Sequence, residues 1–216
     1  METWTPIPEN VTVEIALAPP KPVALDPART ALVIVDMQKA LCDPGFPRYH
    51  PRFGSTIAGN RRILDLTRMV GAERIFIKSI RVPNSPEFTV FGAKPKLLVG
   101  SPETEIVDEL QPIDGEPIVE KYTHDPFARS GLDDLLDEKG IIPGEWSIIV
   151  TGVNASVCAH AAVLGFSNRN FHTVVPVDCT ASRAIEDEAV TFRQYLSPAY
   201  NFNVELTRSD LISFES

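Results

Sequence analysis

Apolar residues along the chain gather in short runs, each bounded by a charged or glycine residue. The first is Ala31-Leu-Val-Ile-Val, closed by Asp36. A run of strand length without alternation predicts a strand covered on both faces, as in a parallel sheet. Similar runs predict strands over 74–80, 117–120, 147–152, 173–177 and 203–207. Between them the period changes to that of a helix. Residues 59–71 carry Ile63, Leu66 and Val70 on one face, with Gly71 as the stop, and helices are also predicted over 130–139, 154–166 and 186–196. Residues 81–115 form a long, proline-rich connection, a length usually tied to function or partly helical. Residues 1–29 hold six prolines and read as an extended N-terminal arm ahead of a single domain over 30–216. Alternating strands and helices predict an α/β fold, a three-layer α-β-α sandwich around a mostly parallel sheet.

Ligands in such folds sit at the carboxyl ends of the strands. Asp36 ends the first strand, Lys121 the third, and Cys158 follows the fourth, near the start of a helix. A parallel sheet opens all three onto one edge. They suit covalent catalysis. Cys158 is the candidate nucleophile, its thiolate favoured by a helix N-terminus and a nearby cation. Asp36 is the candidate base and Lys121 the cation. Backbone N–H groups of Asn154 and Cys158 are the candidate oxyanion donors. Gln38, Tyr122 and Phe127 are candidate substrate-binding residues, and Arg81 and Arg129 candidate partners of a substrate carboxylate. His160 is two positions from Cys158 on the helix and points elsewhere. Cys42 reads as a bystander in the loop near the first strand, and Cys179, at a strand end, either lines the site or packs, packing being favoured.

Composition narrows the picture. The chain has 216 residues, 44% hydrophobic and 23% charged, which suits one globular domain. Twenty Lys and Arg against 29 Asp and Glu give a net charge of −9. That balance, without basic clusters, argues against nucleic acid or an anionic membrane surface as partner. Three widely spaced cysteines argue against a disulfide framework. The first residues lack a basic start and apolar run, and the protein reads as cytoplasmic.

Three blocks, ALVIVDMQKALCDPG, IVEKYTHDPFARSGLDDLL and IIVTGVNASVCAHAAVLGFSNRNFHTVVPVDCTAS, resemble in order and spacing the signature blocks of the isochorismatase-like cysteine hydrolases. The resemblance implies a six-stranded parallel sheet, an Asp36–Lys121–Cys158 triad, a cis peptide before Asn154 and a homodimer or homotetramer. It also implies hydrolysis of a C–N bond in a small amide or ureide through a thioester, because relatives that cleave vinyl ethers lack the cysteine. The nicotinamidases of the family carry an Asp-x-His metal motif after the second strand. Here that stretch, 78–88, has no histidine, so no metal and no cofactor is expected. Two other readings stay open. His124 and Asp125 with Cys158 suit a Cys-His-Asp ester or lactone hydrolase. The same fold also suits binding of a small molecule or partner without turnover.

Overall fold

The computed structural model describes residue 12 and residues 14–215. The elements in chain order are β1 (Val23–Leu25), β2 (Thr30–Val35), α1 (Lys39–Cys42), α2 (Pro51–Gly54), α3 (Ile57–Val70), β3 (Glu73–Ser79), α4 (Pro86–Thr89), β4 (Ile118–Lys121), α5 (Leu132–Glu138), β5 (Ser147–Val153), α6 (Cys158–Ser167), β6 (His172–Pro176), β7 (Thr180–Ala181), α7 (Ile185–Leu196), β8 (Val204–Thr207) and β9 (Ile212–Phe214), with 3-10 turns between some of them.

The main sheet runs β4-β3-β2-β5-β6-β8, with the two-residue β7 beside β5, and its described pairings are parallel. Each of the six expected strands is present within a residue or two of its expected bounds. The all-apolar run of β2 follows from its central position. Its alternate residues Ala31, Val33 and Val35 join the core layer that contains Leu132, Leu136, Ala162, Val163 and Phe166 from α5 and α6. Leu32 and Ile34 face the opposite layer with Ile63 and Leu64 of α3. Burial on both sides removes any need for polar alternation.

Part of the N-terminal arm lies outside the described residues. From Val23 to Leu25 the chain is more than an extended cover: it pairs in parallel with β9, joining the two ends of the described chain in a small second sheet. Nothing local in the sequence signals that pairing. The 81–115 connection is partly helical, holding α4 and two 3-10 turns. No helix among the described residues is long and apolar enough to cross a membrane.

The order of the strands fixes where a ligand can sit. After β2 the chain adds β3 and β4 on one side, then crosses to place β5 on the other. The connections leaving β2 and β5 diverge, opening a crevice at their carboxyl ends. Gly152, near the end of β5, makes close packing there possible. Its φ is +99°, and a Cβ at this position would lie 2.0 Å from the Val35 carbonyl oxygen, so no other residue fits.

Candidate active site

Asp36 leaves β2 at φ +53°, a left-handed conformation that Asp tolerates better than most side chains. That turn lowers its carboxylate into the crevice, where the residue is 1% exposed. Lys121, the last residue of β4, extends to the same point, and its Nζ lies 2.8 Å from Asp36 Oδ2. Ser79, at the end of β3 between them, accepts from Lys121 Nζ at 2.6 Å and donates to Asp36 Oδ2 at 3.0 Å. Three neighbouring strand ends thus build one buried polar cluster. Among the described residues Asp36 Oδ1 has no hydrogen-bond partner. A buried carboxylate oxygen left unpaired is costly in a structural pair and useful in a base.

Cys158 is the first residue of α6 and 9% exposed. Buried Ala159, Ala162, Val163 and Phe166 share the helix face that packs on the sheet, which sets the thiol at the sheet edge. Burial first, and then the charge of Asp36, push the thiol up to about 12, while Lys121 opposes. The resting sulfur is therefore a protonated thiol, contrary to the thiolate expected from a helix N-terminus and a cation. Burial and Asp36 outweigh Lys121. Lys121 is desolvated too, yet the charge of Asp36 holds its ammonium above the ordinary lysine value.

The Val153–Asn154 peptide is cis. Backbone N–H groups of Asn154 and Cys158 border the crevice, and among the described residues neither donates to a backbone acceptor. The turn between them is tied by side chains. Asn154 Oδ1 accepts from the Ser156 N–H at 3.1 Å and from Ser156 Oγ at 3.0 Å. Ser182 Oγ donates to Ser156 Oγ at 2.9 Å.

The crevice encloses about 250 Å³, and Asp36, Ser79, Asn154 and Cys158 lie on its wall. Arg48, Arg81, Lys96 and Arg183 give that wall a positive rim. Arg81 and Lys96 are compensated by Glu87, at 2.7 and 3.5 Å. Arg48 and Arg183 have no carboxylate within ion-pair distance among the described residues. Instead, Arg183 donates to the Arg48 carbonyl oxygen at 3.2 Å and stands over the Phe53 ring.

The substrate-binding candidates need correction. Gln38 is fully buried and spent on structure. Its Nε2 donates to the Ser79 and Thr104 carbonyls, and its Oε1 accepts from the Ser79 N–H. Tyr122 is 45% exposed and lines a separate hollow with Arg129. Side chains alternate across a strand, so the residue after Lys121 faces the other way. Phe127 packs edge-on against Phe166 and beneath the Arg169 guanidinium, over the bare backbone of Gly165. Of the two arginine candidates, Arg81 reaches the crevice and Arg129 does not. Sequence reasoning missed Ser79, although it too ends a strand, and it missed Arg48 and Arg183, which sit in loops without a local signal.

His160 binds Tyr195 Oη at 2.8 Å, away from the thiol. Cys42 and Cys179 are buried and outside the crevice, and the three cysteines are free. Among the described residues no group of three or more His, Cys, Asp or Glu could hold a metal ion.

A parallel α/β sheet with a cysteine, a carboxylate and an ammonium converging at its carboxyl edge defines a class of candidate nucleophilic enzyme. The isochorismatase domain model matches residues 30–204, and the chain belongs to that family. The ureidoacrylate amidohydrolase RutB of Caulobacter segnis is 30% identical over 185 residues, covering 73% of this chain and 75% of its own. RutB of Rhizobium rhizogenes is 28% identical over 189 residues, covering 76% and 74%. Among solved structures, N-carbamoylsarcosine amidase from Thermoplasma acidophilum superposes with TM-score 0.71 at 24% identity, over 84% of this chain and 97% of its own. That likeness is one of fold.

Proposed function

We propose that the protein is an amidohydrolase that cleaves a C–N bond of a small amide or ureide, with Cys158 as nucleophile, Asp36 as base and Lys121 as the charge that holds both in place. The observation that supports this reading is the buried Asp36–Lys121 pair at the crevice that Cys158 also lines, with Asp36 Oδ1 unpaired among the described residues. Relatives named for ureidoacrylate hydrolysis support it.

The reaction follows from the charges. The thiol is held protonated until a carbonyl carbon is in reach, so its proton must leave as the S–C bond forms. Asp36 accepts that proton, and Lys121 stabilises the negative charge then developing on sulfur and oxygen. The N–H groups of Asn154 and Cys158 bind the oxyanion. Asp36 returns the proton to the leaving nitrogen as the C–N bond breaks. Water attacks the thioester and gives its proton to Asp36, which returns it to the departing sulfur, so that the thiol and the base are both restored.

The substrate carries a carboxylate beside its amide or ureido group. The two guanidinium groups without acidic partners among the described residues, Arg48 and Arg183, support this feature of the reading, because such groups on a cavity wall favour an anionic ligand. The Cys-His-Asp alternative has two of its three parts in place. His124 does lie beside the sulfur, but the Asp125 carboxylate accepts from the Phe127 N–H and not from the imidazole.

The reading includes assembly into a homodimer or homotetramer, supported by the adjacent exposed side chains of Val90 and Phe91. It also includes a cytoplasmic setting, where the three free thiols stay reduced. An ammonia-release screen over small amides and ureides, with and without a carboxylate, tests the activity. Release from at least one carboxylate-bearing ureide, lost in Cys158→Ala, is the expected result. No release from any member of the panel would overturn it.

A further inference from the structure

The sulfur of Cys158 has a neighbour that the triad leaves unused. His124 stands in the loop after β4, and its Nδ1 lies 3.3 Å from Cys158 Sγ. Its side chain forms part of the crevice wall. Asp36 is buried, whereas His124 is exposed. Three cations face the imidazole from the surrounding elements: Lys121 at the end of β4, Arg81 just past β3, and Lys96 in the long connection. Asp36 is the opposing charge. Asp125, next in the chain, has its carboxylate turned to the Phe127 N–H at 2.9 Å. Burial first, then Lys121 and Arg81, hold the imidazole below the ordinary histidine value of 6.5. At neutral pH it is uncharged and has one nitrogen lone pair to offer.

We propose that His124 is a second general base for Cys158, accepting the thiol proton at Nδ1 on the solvent side of the site. The S–H bond breaks with its electron pair kept on sulfur, and the Nδ1 lone pair takes the proton. The product is a thiolate beside an imidazolium, with no change in total charge. The proposal extends the nucleophile reading of Cys158 but stands on the sulfur–imidazole geometry, whatever the substrate.

Alkylation of Cys158 by iodoacetamide, followed at that site by mass spectrometry on the full chain, tests it without a substrate. Internal proton transfer gives a rate that is flat across neutral pH, because the reacting pair contains the same number of protons as the resting one. Below the His124 pKa, on the acid side of 6.5, the rate falls about tenfold per pH unit as the base is lost. In His124→Asn, where Asp36 remains as the other base, the acid limb set by the imidazole disappears and the rate near neutral pH falls below that of the parent. Circular dichroism of the variant, with His124→Gln beside it, checks that the loop change leaves the fold intact. An acid limb that persists unchanged in His124→Asn belongs to another group and overturns the proposal. So does a wild-type rate that rises below pH 6.5, which would make the imidazolium a hydrogen-bond donor to the thiolate. A silent substrate panel with this alkylation profile intact would sink the amidohydrolase reading and leave His124 standing.

Discussion

Lys121→Met removes the ammonium from the buried cluster with little loss of volume and leaves Asp36 in place. The two side chains are 0% and 2% exposed and 2.8 Å apart. At an effective dielectric of about 20, their attraction is about 6 kcal/mol. Both groups lose hydration on folding, so the pair as a whole contributes much less than that. Removing one partner forfeits the attraction and keeps the other's desolvation, which costs about 3–5 kcal/mol. Ser79 compensates little, since its hydroxyl already bonds both members. In a chain of this size such a loss lowers the melting temperature by about 6–20 °C. Asp36→Asn should cost a similar amount, because it strands the buried ammonium. The double variant Asp36→Asn/Lys121→Met has no stranded charge and should be more stable than either single one. Urea unfolding of the four proteins gives the coupling energy directly. Singles costing under about 1 kcal/mol, or a double variant as poor as the sum of its singles, would refute the account of the cluster as a mutually compensated ion pair.

Cys158→Ala should abolish ammonia release, measured by a coupled assay, while leaving the unfolding midpoint close to that of the parent. Arg48→Ala and Arg183→Ala should each raise KM for a carboxylate-bearing ureide by about tenfold or more, the loss of a charge-assisted hydrogen bond, and leave KM for its neutral amide analogue nearly unchanged. Equal effects on both substrates would remove these arginines from carboxylate recognition. Gly152→Ala should be destabilised by about 3 kcal/mol or more in thermal unfolding, because its Cβ would fall 2.0 Å from the Val35 carbonyl oxygen at a positive φ. A near-neutral Gly152→Ala would mean that β2 and β5 separate easily at the crevice.

The strands were readable because each is a run of apolar residues long enough to be covered on both faces, and β2 shows why: its odd and even positions enter different core layers. Their direction followed from the intervening helices, and the rule that ligands gather at carboxyl ends picked out Asp36, Lys121 and the turn to Cys158. These are properties of local pattern and chain order, which the sequence carries by itself. Depth and direction of side chains are not. Gln38, Tyr122 and Phe127 sit beside catalytic candidates in sequence, yet one is consumed by buried backbone carbonyls, one faces the opposite side of its strand, and one packs on Gly165 of a neighbouring helix.

Tertiary structure alone decided the state of the thiol. A helix start and a lysine favour a thiolate, but burial beside Asp36 keeps the proton on sulfur. Desolvation depends on everything packed around a group, so no local pattern can supply it. The same holds for the positive rim: Arg48 and Arg183 lie far apart in the chain, and only the folded chain brings them to one wall, without an acidic partner among the described residues. The sequence determined which elements form and which reactive residues end them. The fold determined their environments, and so their charge and what remains free to meet a substrate.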